Sequence, residues 1–338
     1  MKIDFKSEVK NLIYYPVMFF CCMEFSFRIL GYESFENIDY SVTAQPNNAF
    51  IGDTERGIQL NPGTFQVTIN KGLTFSTHHL ENNSRFVSEC PDATKTNILF
   101  LGCSFTYGFG VNDDQHFTSL LQKKHPALSF QNAGVIGYGS VQSLLQLKEG
   151  VKTQQWKAVI LNFSSLHFMR NTLSRQYRSN LKIGYGRSSN NVDSKMNQSR
   201  FPYLAACEES IQYASWEEIY ENWVGREWLA SINWMQTSYD HAKDDLPAQI
   251  EVTVCIIQEM AAICKENDIP FGVACLDRTS ETGLLKTKIS PIKWVDVGFN
   301  FSDQRFINHP YDSHPNPAGH RQIADKIEPF LTELLHEK

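Results

Sequence analysis

Between residues 96 and 338, short apolar runs alternate with segments whose apolar residues recur every three or four positions. The apolar runs predict five strands, in "NILFLG", "LSFQNAG", "KAVILNF", "IPFGVACL" and "WVDV". The helical spacing predicts helices between them, the first capped by Asp113 or Asp114 and the last starting at Asn316 and Pro317. Strands separated by helix-length crossovers predict an α/β fold, a three-layer αβα sandwich with a five-stranded parallel sheet.

The chain before this region has two different patterns. Residues 31–95 contain turn signals in "GDTERG", "LNPG" and "NKG" and the alternating stretch "TFQVTI", which predict a small β-rich extension of short strands and hairpins. Residues 1–30 form an apolar N-terminal segment. The predicted organisation is therefore 1–30, 31–95 and a main domain at 96–338. Inside that domain, Trp216, Ile219, Tyr220 and Trp223 have the spacing of one helix face.

The N-terminal segment leaves three interpretations open. Lys2, Lys6 and Lys10 precede a charge-free run of 13 residues, 11–23, and the apolar pattern continues to Leu30. A spanning helix needs about 20 predominantly apolar residues, and no small-residue cleavage site follows the run. The segment is therefore one of three things: a short signal anchor with its lysines on the cytoplasmic side, an interfacial helix, or a helix docked on the globular body. An anchor at residues 11–30 favours a main domain in the periplasm or outside the cell, with a cytoplasmic protein as the alternative.

Composition excludes several classes of partner. The formal net charge is −6 and the sequence has no basic stripe, so a nucleic-acid partner is not expected. None of the eight cysteines has the spacing of a zinc site. Cys255, Cys264 and Cys275 stand in apolar stretches, which predicts unpaired buried thiols and favours a reducing compartment. His78 and His79 have no third ligand at matching spacing and indicate a solvated loop. We expect neither a metal nor another cofactor.

A serine at a strand end carries the candidate chemistry. In "ILFLGCSFTYGFGV" an apolar strand ends at Ser104, and ligands of parallel sheets bind at the carboxyl ends of the strands. In "YDSHPNPAGH", Asp312 lies two residues before His314, on a loop at the same sheet edge. Because a hydroxyl needs a base and an imidazole needs an acceptor to orient it, these residues predict a nucleophile, a base and its partner. The backbone N–H groups of Ser104 and of Gly137, in "NAGVIGYGS", are candidate oxyanion donors.

Three blocks in this order resemble the SGNH hydrolase superfamily, also called GDSL-like esterases: "LGCSFTYGFGV", "NAGVIGYGS" and "DSHPNPAGH". The resemblance covers roughly residues 96–335. It implies a flavodoxin-like fold with Ser104 as nucleophile, Gly137 as an oxyanion donor, His314 as base and Asp312 as its partner, with no metal or nucleotide cofactor. An apolar N-terminus before a small β-rich segment also looks like bacterial members anchored outside the inner membrane.

Two departures separate the chain from the family pattern. The aspartate of G-D-S is replaced by Cys103, and the G-x-N-D block after the third strand is replaced by "NFSSLHFMRN". Asn162 or His167 could replace the missing side-chain donor, or could make ordinary loop hydrogen bonds.

The expected function is serine-dependent hydrolysis of O-acyl esters of carbohydrate or lipid through an acyl-enzyme. The alternatives are an O-acyltransferase acting on a surface polysaccharide and a catalytically weakened binding or assembly protein. The expected partners are a small-molecule or glycan ester and, through residues 11–30, a membrane.

Overall fold

The computed structural model describes residues 5–35, 41–88, 96–186 and 196–336. The chain divides into two compact units: one comprises residues 1–39 and 220–244, and the other comprises residues 40–219 and 245–338. This grouping differs from the three consecutive segments expected from the sequence, because residues 220–244 join the N-terminal helix in one unit.

The larger unit contains all of the strands named here. The strands are β1 (Val42–Gln45), β2 (Phe50–Asp53), β3 (Gly57–Leu60), β4 (Gly63–Ile69), β5 (Leu73–His79), β6 (Thr96–Gly102), β7 (Leu128–Asn132), β8 (Ala158–Phe163), β9 (Arg200–Tyr203), β10 (Gln212–Ser215), β11 (Phe271–Cys275) and β12 (Lys293–Asp296). The helices of the two units are α1 (Phe5–Ile29), α2 (Ser104–Tyr107), α3 (Phe117–Lys124), α4 (Ser140–Thr153), α5 (Leu166–Asn171), α6 (Arg175–Gly186), α7 (Ala230–Lys243), α8 (Leu246–Glu266), α9 (Ser280–Lys288) and α10 (Pro317–His336). Of these helices, α1 and α7 belong to the smaller unit.

A five-stranded parallel sheet forms the centre of the larger unit, in the order β12-β11-β8-β6-β7. This confirms the predicted α/β fold. Numbered by their order in the chain, the strands run 2-1-3-4-5 from the β7 edge, which is the flavodoxin-like arrangement. The strand order reverses around β6, and the crevice beside a reversal point is where such sheets bind ligands.

Helices cover both faces of the sheet, which explains why the inner strands β8 and β11 are buried at every position. Successive residues of β8 enter opposite cores: Val159 and Leu161 join the cluster with α4 and α8, and Ile160 joins the cluster with α3 and α10. Helix α8 is long and apolar enough to cross a membrane, yet Ile257 and Met260 are completely buried in the first cluster. It is a core helix of this unit.

The predicted β-rich extension is confirmed and lies along the β7 edge. Strands β4 and β5 form an antiparallel hairpin, β1 pairs with β4, and β2 pairs with β3. Arg85 bridges this layer to the main sheet, because it pairs with His79 on one side and with Asn132 on the other.

Two helix starts were predicted, and one is confirmed. At α10 the Asn316 Oδ1 accepts hydrogen bonds from the N–H groups of Ala318 and Gly319, at 2.9 and 3.0 Å. At α3 the prediction of an Asp113 or Asp114 cap is wrong. His116 caps that helix, and the carboxylate of Asp113 instead accepts hydrogen bonds from Arg85 and from the N–H of His78.

Two further expectations are corrected. Cys255 is joined to Cys207 by a disulfide, whereas Cys264 and Cys275 are free and buried. The expectation of unpaired thiols failed for Cys255 because its partner lies 48 residues away, where spacing carries no signal. The helix expected over residues 216–223 does not form: β10 ends at Ser215, and Trp216 lies in a turn that follows it.

The smaller unit is built around a contact between α1 and the start of α7. The Glu24 carboxylate accepts hydrogen bonds from the N–H groups of Ala230 and Ser231 at 2.9 and 3.0 Å. Arg28 pairs with Glu24 and donates to the Trp228 carbonyl at 2.6 Å. The window Leu12–Ile29 is long and apolar enough to cross a membrane, and none of its residues is buried. The two charged residues of this window, Glu24 and Arg28, are paired with each other and hydrogen-bonded to the backbone near the start of α7.

Candidate active site

Ser104 stands at a sharp turn from strand to helix. Strand β6 ends at Gly102 and helix α2 begins at Ser104. Gly102 has a φ of +149°, and a Cβ at this position would lie 2.3 Å from Thr106 Oγ1 and 2.7 Å from the Asn162 carbonyl oxygen. Only glycine permits so close an approach. The turn therefore places the serine at the carboxyl end of β6, beside the reversal of strand order.

Backbone hydrogen bonds shape the loop that carries His314 and Asp312. Ile307 pairs with Pro315, and the N–H of Asn308 donates to the His314 carbonyl at 2.9 Å. The N–H of Asp312 donates back to the Asn308 carbonyl at 3.0 Å. These bonds close the loop on itself just before α10 and direct both side chains toward Ser104.

A continuous hydrogen-bonded chain joins the three predicted residues. His314 Nε2 lies 2.8 Å from Ser104 Oγ, and Nδ1 contacts Asp312 Oδ1. The same Asp312 oxygen accepts the backbone N–H of His314 at 2.5 Å. The imidazole packs between the rings of Phe105 and Phe109, each with its centroid 5.1 Å away. An acceptor at Nδ1 favours the tautomer whose Nε2 lone pair faces the serine hydroxyl.

Gly137 lines the same cavity as Ser104. Its φ is +77°, a conformation that favours glycine. The Tyr177 hydroxyl donates to the Gly137 carbonyl, and burial raises the pKa of Tyr177 to about 12, so this donor stays protonated. Within the described ranges, neither the Gly137 N–H nor the Ser104 N–H donates to a protein acceptor. Both are therefore free to donate to a bound substrate.

These groups border one cavity of about 240 Å³ that also contains His314 and Arg170 in its wall. Most of the other lining side chains are apolar or aromatic: Val42, Phe105, Phe109, Ile136, Leu166, Tyr177, Leu181 and Tyr185. A larger open groove of about 770 Å³ lies at the opposite sheet edge, against Lys157, Phe271 and Lys293, which start or precede strands. Because ligands of such sheets bind at the carboxyl ends of the strands, the smaller cavity is the candidate site.

Asn162 and His167 lie outside the lining of this cavity. His167 is completely buried, with Nδ1 3.0 Å from Ser140 Oγ, and burial holds its pKa well below the usual range. Asn162 is also buried, at the end of β8, and its side-chain amide has no hydrogen-bond partner within the described ranges. The structure thus brings Ser104, Gly137, Asp312 and His314 together and leaves these two residues apart.

The histidine pair of β5 does not form a solvated loop. His79 is buried, with Nε2 2.7 Å from the Tyr107 hydroxyl, and desolvation lowers its pKa to about 3. His78 stacks on Phe86. In the part of the chain that the structure describes, no group of three or more His, Cys, Asp or Glu side chains is arranged to hold a metal ion.

Sequence reasoning missed two arginines near the site. Arg85 is completely buried and donates to the carbonyls of Gly108 and Val111, both at 2.6 Å, in the segment that follows Ser104. Arg170 comes from α5, after β8. The place of Arg170 in the chain could have indicated this, because residues that follow β8 lie at the same sheet edge as residues that follow β6. Arg85 precedes β6 and had no such signal.

No protein-family model and no curated protein sequence matches this chain. The solved structures that match are consistently hydrolases and esterases of the GDSL or SGNH type. TesA is 12% identical, with 71% of this chain and 99% of that chain covered and a TM-score of 0.39. The psychrotrophic esterase EstA from Pseudoalteromonas sp. is 11% identical, with 72% and 100% covered and a TM-score of 0.39. A two-domain esterase active on acetylated mannans is 16% identical, with 72% and 50% covered and a TM-score of 0.38.

Proposed function

We propose that this protein is a serine-dependent carboxylic-ester hydrolase that acts through an acyl-enzyme. The observation that carries the proposal is the 2.8 Å contact between Ser104 Oγ and His314 Nε2, with Asp312 on the far side of the imidazole. A hydroxyl activated by an oriented base is the arrangement of nucleophilic acyl transfer. The adjacent cavity has room for the acyl group or the alcohol of an ester.

In the first half-reaction, Ser104 Oγ forms a bond to the ester carbonyl carbon while its proton moves to His314 Nε2. The carbonyl oxygen becomes negatively charged and accepts hydrogen bonds from the N–H groups of Ser104 and Gly137. The bond from the carbonyl carbon to the alcohol oxygen then breaks, and His314 gives its proton to the departing alkoxide. Asp312 holds the imidazolium that exists between these two transfers.

In the second half-reaction, water takes the place of the alcohol. His314 removes a proton from the water, the hydroxide attacks the acyl-enzyme carbonyl, and Ser104 leaves with the proton that His314 returns. The proposed oxyanion hole has two backbone donors, and neither Asn162 nor His167 borders the cavity to add a third. Because removal of one donor costs roughly 10² to 10³ in rate, we expect slower turnover than a three-donor site would give.

Hydrolysis of 4-nitrophenyl acetate by the full-length protein in detergent tests this function. Ser104→Ala should abolish hydrolysis and should also abolish covalent labelling by a fluorophosphonate, because both require the nucleophile. Ser313→Ala is the matched control, since Ser313 lines the same cavity and no described histidine contacts its hydroxyl. Equal hydrolysis and labelling in Ser104→Ala and the parent would exclude Ser104 as nucleophile.

We further propose that α1 anchors the protein in a membrane, with the larger unit on the oxidising side. The apolar side chains of Leu12, Val17 and Phe19 are exposed over half or more of their surface, which is typical of a surface that contacts lipid or a partner. The Cys207–Cys255 disulfide supports the location, because disulfides persist in oxidising compartments.

Alkaline carbonate extraction tests this location. The parent should stay with the membrane pellet, and the double variant Val17→Lys and Phe19→Lys should move to the soluble fraction, because charges inside a bilayer are costly. A reporter fused after Lys338 should be active only in the periplasm. Parent protein that is soluble without detergent, or a reporter that is active in the cytoplasm, would contradict the proposal.

A further inference from the structure

The guanidinium group of Arg170 lies in the wall of the cavity beside Ser104. Two neighbours hold this side chain. Nη1 donates to the Tyr138 carbonyl at 2.9 Å, and the guanidinium carbon lies over the Tyr177 ring, 5.6 Å from its centroid. A Cβ on Gly139 would lie only 2.9 Å from Arg170 Cβ, so the base of the side chain is also closely packed. The position of the charge is therefore fixed relative to Ser104.

Among the residues that the structure describes, no acidic side chain pairs with this charge. In the described ranges, the residues that line the cavity include no aspartate or glutamate, and no carboxylate lies within ion-pair distance of Arg170. Its Nε is buried and has no hydrogen-bond acceptor in the same ranges. A buried donor on a charged group costs free energy when it lacks an acceptor. The cavity is thus mostly apolar, with one uncompensated positive group.

A structural role for Arg170 accounts for only part of this arrangement. The contact with the Tyr138 carbonyl uses one of the five N–H donors of a guanidinium. It explains neither the buried Nε nor the presence of the group in the wall of the cavity. The guanidinium is the side chain whose planar donors best fit a carboxylate or a phosphate.

We propose that Arg170 determines substrate specificity by binding a carboxylate or phosphate group of the ester. This inference rests on the proposed ester hydrolysis and adds that the natural substrate carries a negative charge close to the bond that is cleaved. The charge belongs either to the acyl group or to the alcohol. Both sources present the same chemistry to Arg170, and paired substrates distinguish them.

Two pairs of esters test the proposal on the full-length protein. For a charge on the acyl group, the pair is 4-nitrophenyl hemiglutarate and 4-nitrophenyl pentanoate. For a charge on the alcohol, the pair is 4-acetoxybenzoate and 4-acetoxybenzamide. In one of these pairs the parent should prefer the anionic ester in kcat/KM by roughly 10- to 100-fold, the range expected for one charge-assisted contact.

Substitutions then assign the preference to Arg170. Arg170→Gln should remove the preference, because kcat/KM should fall more for the anionic ester than for its neutral partner, by a factor equal to the preference of the parent. Arg170→Lys should retain part of it. Arg321→Gln is the control for net charge, because Arg321 is exposed on α10 and does not line the cavity. No preference in either pair, or an equal loss for both members in Arg170→Gln, would overturn the inference.

A binding measurement remains decisive if hydrolysis fails. Glutarate and 4-hydroxybenzoate, titrated into the parent by calorimetry, should bind in at least one case, more weakly at high salt and at least tenfold more weakly to Arg170→Gln. Binding that is unchanged in that variant, or no binding of either anion, would overturn the inference without reference to catalysis. Failure of the proposed function would give a different result: the parent and Ser104→Ala would hydrolyse neutral esters at the same rate, or neither would hydrolyse them.

Discussion

At the scale of single residues, His314 is held from both sides. Asp312 Oδ1 accepts both the backbone N–H and the Nδ1–H of His314, so one carboxylate oxygen orients the loop and the ring together. The rings of Phe105 and Phe109 pack against the imidazole and restrict its rotation.

We expect His314→Ala to lose nearly as much activity as Ser104→Ala, roughly 10⁴-fold or more, because the hydroxyl loses its proton acceptor. The double variant should lose little more, since residues that act as one unit do not add. Asp312→Ala should cost roughly 10- to 100-fold less than His314→Ala, because it removes the orienting group and leaves the base. Measurements of kcat/KM with 4-nitrophenyl acetate check all four variants. His309→Ala is the control, and a His314→Ala protein with most of its activity would place the base elsewhere.

At the scale of elements, the β-rich extension supports the segment that follows Ser104. Arg85 lies between the extension and β7, and its guanidinium donates to the carbonyls of Tyr107, Gly108 and Val111 and pairs with Asp113. The guanidinium also lies 4.7 Å from the centroid of the Tyr107 ring. A cation from outside the main sheet thus donates to backbone carbonyls in the segment that follows Ser104.

Arg85→Met should lower the free energy of unfolding by about 3 to 5 kcal/mol, because it leaves Asp113 without its buried partner and removes a charged donor from three backbone carbonyls. Esterase activity should fall as well, since the segment after Ser104 loses its anchor. Urea unfolding followed by fluorescence measures the first effect. Arg305→Met is the control: Arg305 is exposed and pairs with Asp303 at the surface, where such pairs contribute little. Equal unfolding midpoints for Arg85→Met and the parent would contradict this account.

At the scale of the larger unit as a whole, buried neutral histidines couple stability to pH. Desolvation lowers the pKa of His79 and His320 to about 3 and holds the pKa of His116 and His167 well below the usual range. Below a pH of about 6.5 the unfolded chain protonates these histidines and the folded chain does not. The unfolded state then binds more protons, so stability falls as the pH falls.

We expect the urea midpoint to decrease steadily from pH 7.5 to pH 5, with each of the four histidines contributing up to about 1.4 kcal/mol per pH unit. His320→Gln should reduce the slope, because one of these groups no longer titrates in the unfolded state. Unfolding curves at half-unit intervals of pH measure both slopes. A midpoint that is constant over this range would show that the buried histidines do not govern acid stability.

The sequence by itself determined the sheet and the core of the site. Strands buried on both faces are apolar at every position, and crossovers of helix length allow few arrangements other than a parallel sheet. Once the strands were placed, Ser104, Gly137, Asp312 and His314 all followed strand ends and had to share one edge. The Asn316 cap could also be predicted, because capping depends on residues that are adjacent in the chain.

Only the tertiary structure decided the contacts between distant segments. The Cys207–Cys255 bond, the burial of His79 against Tyr107, and the contact of Glu24 with α7 each join residues that no local pattern links. The same is true of Arg85 and Arg170, whose surroundings come from several elements. The pattern of apolar and polar residues along a helix or strand indicates which of its faces is buried. The partner of a buried charge, and the chemistry of the cavity it borders, depend on how those faces meet in space.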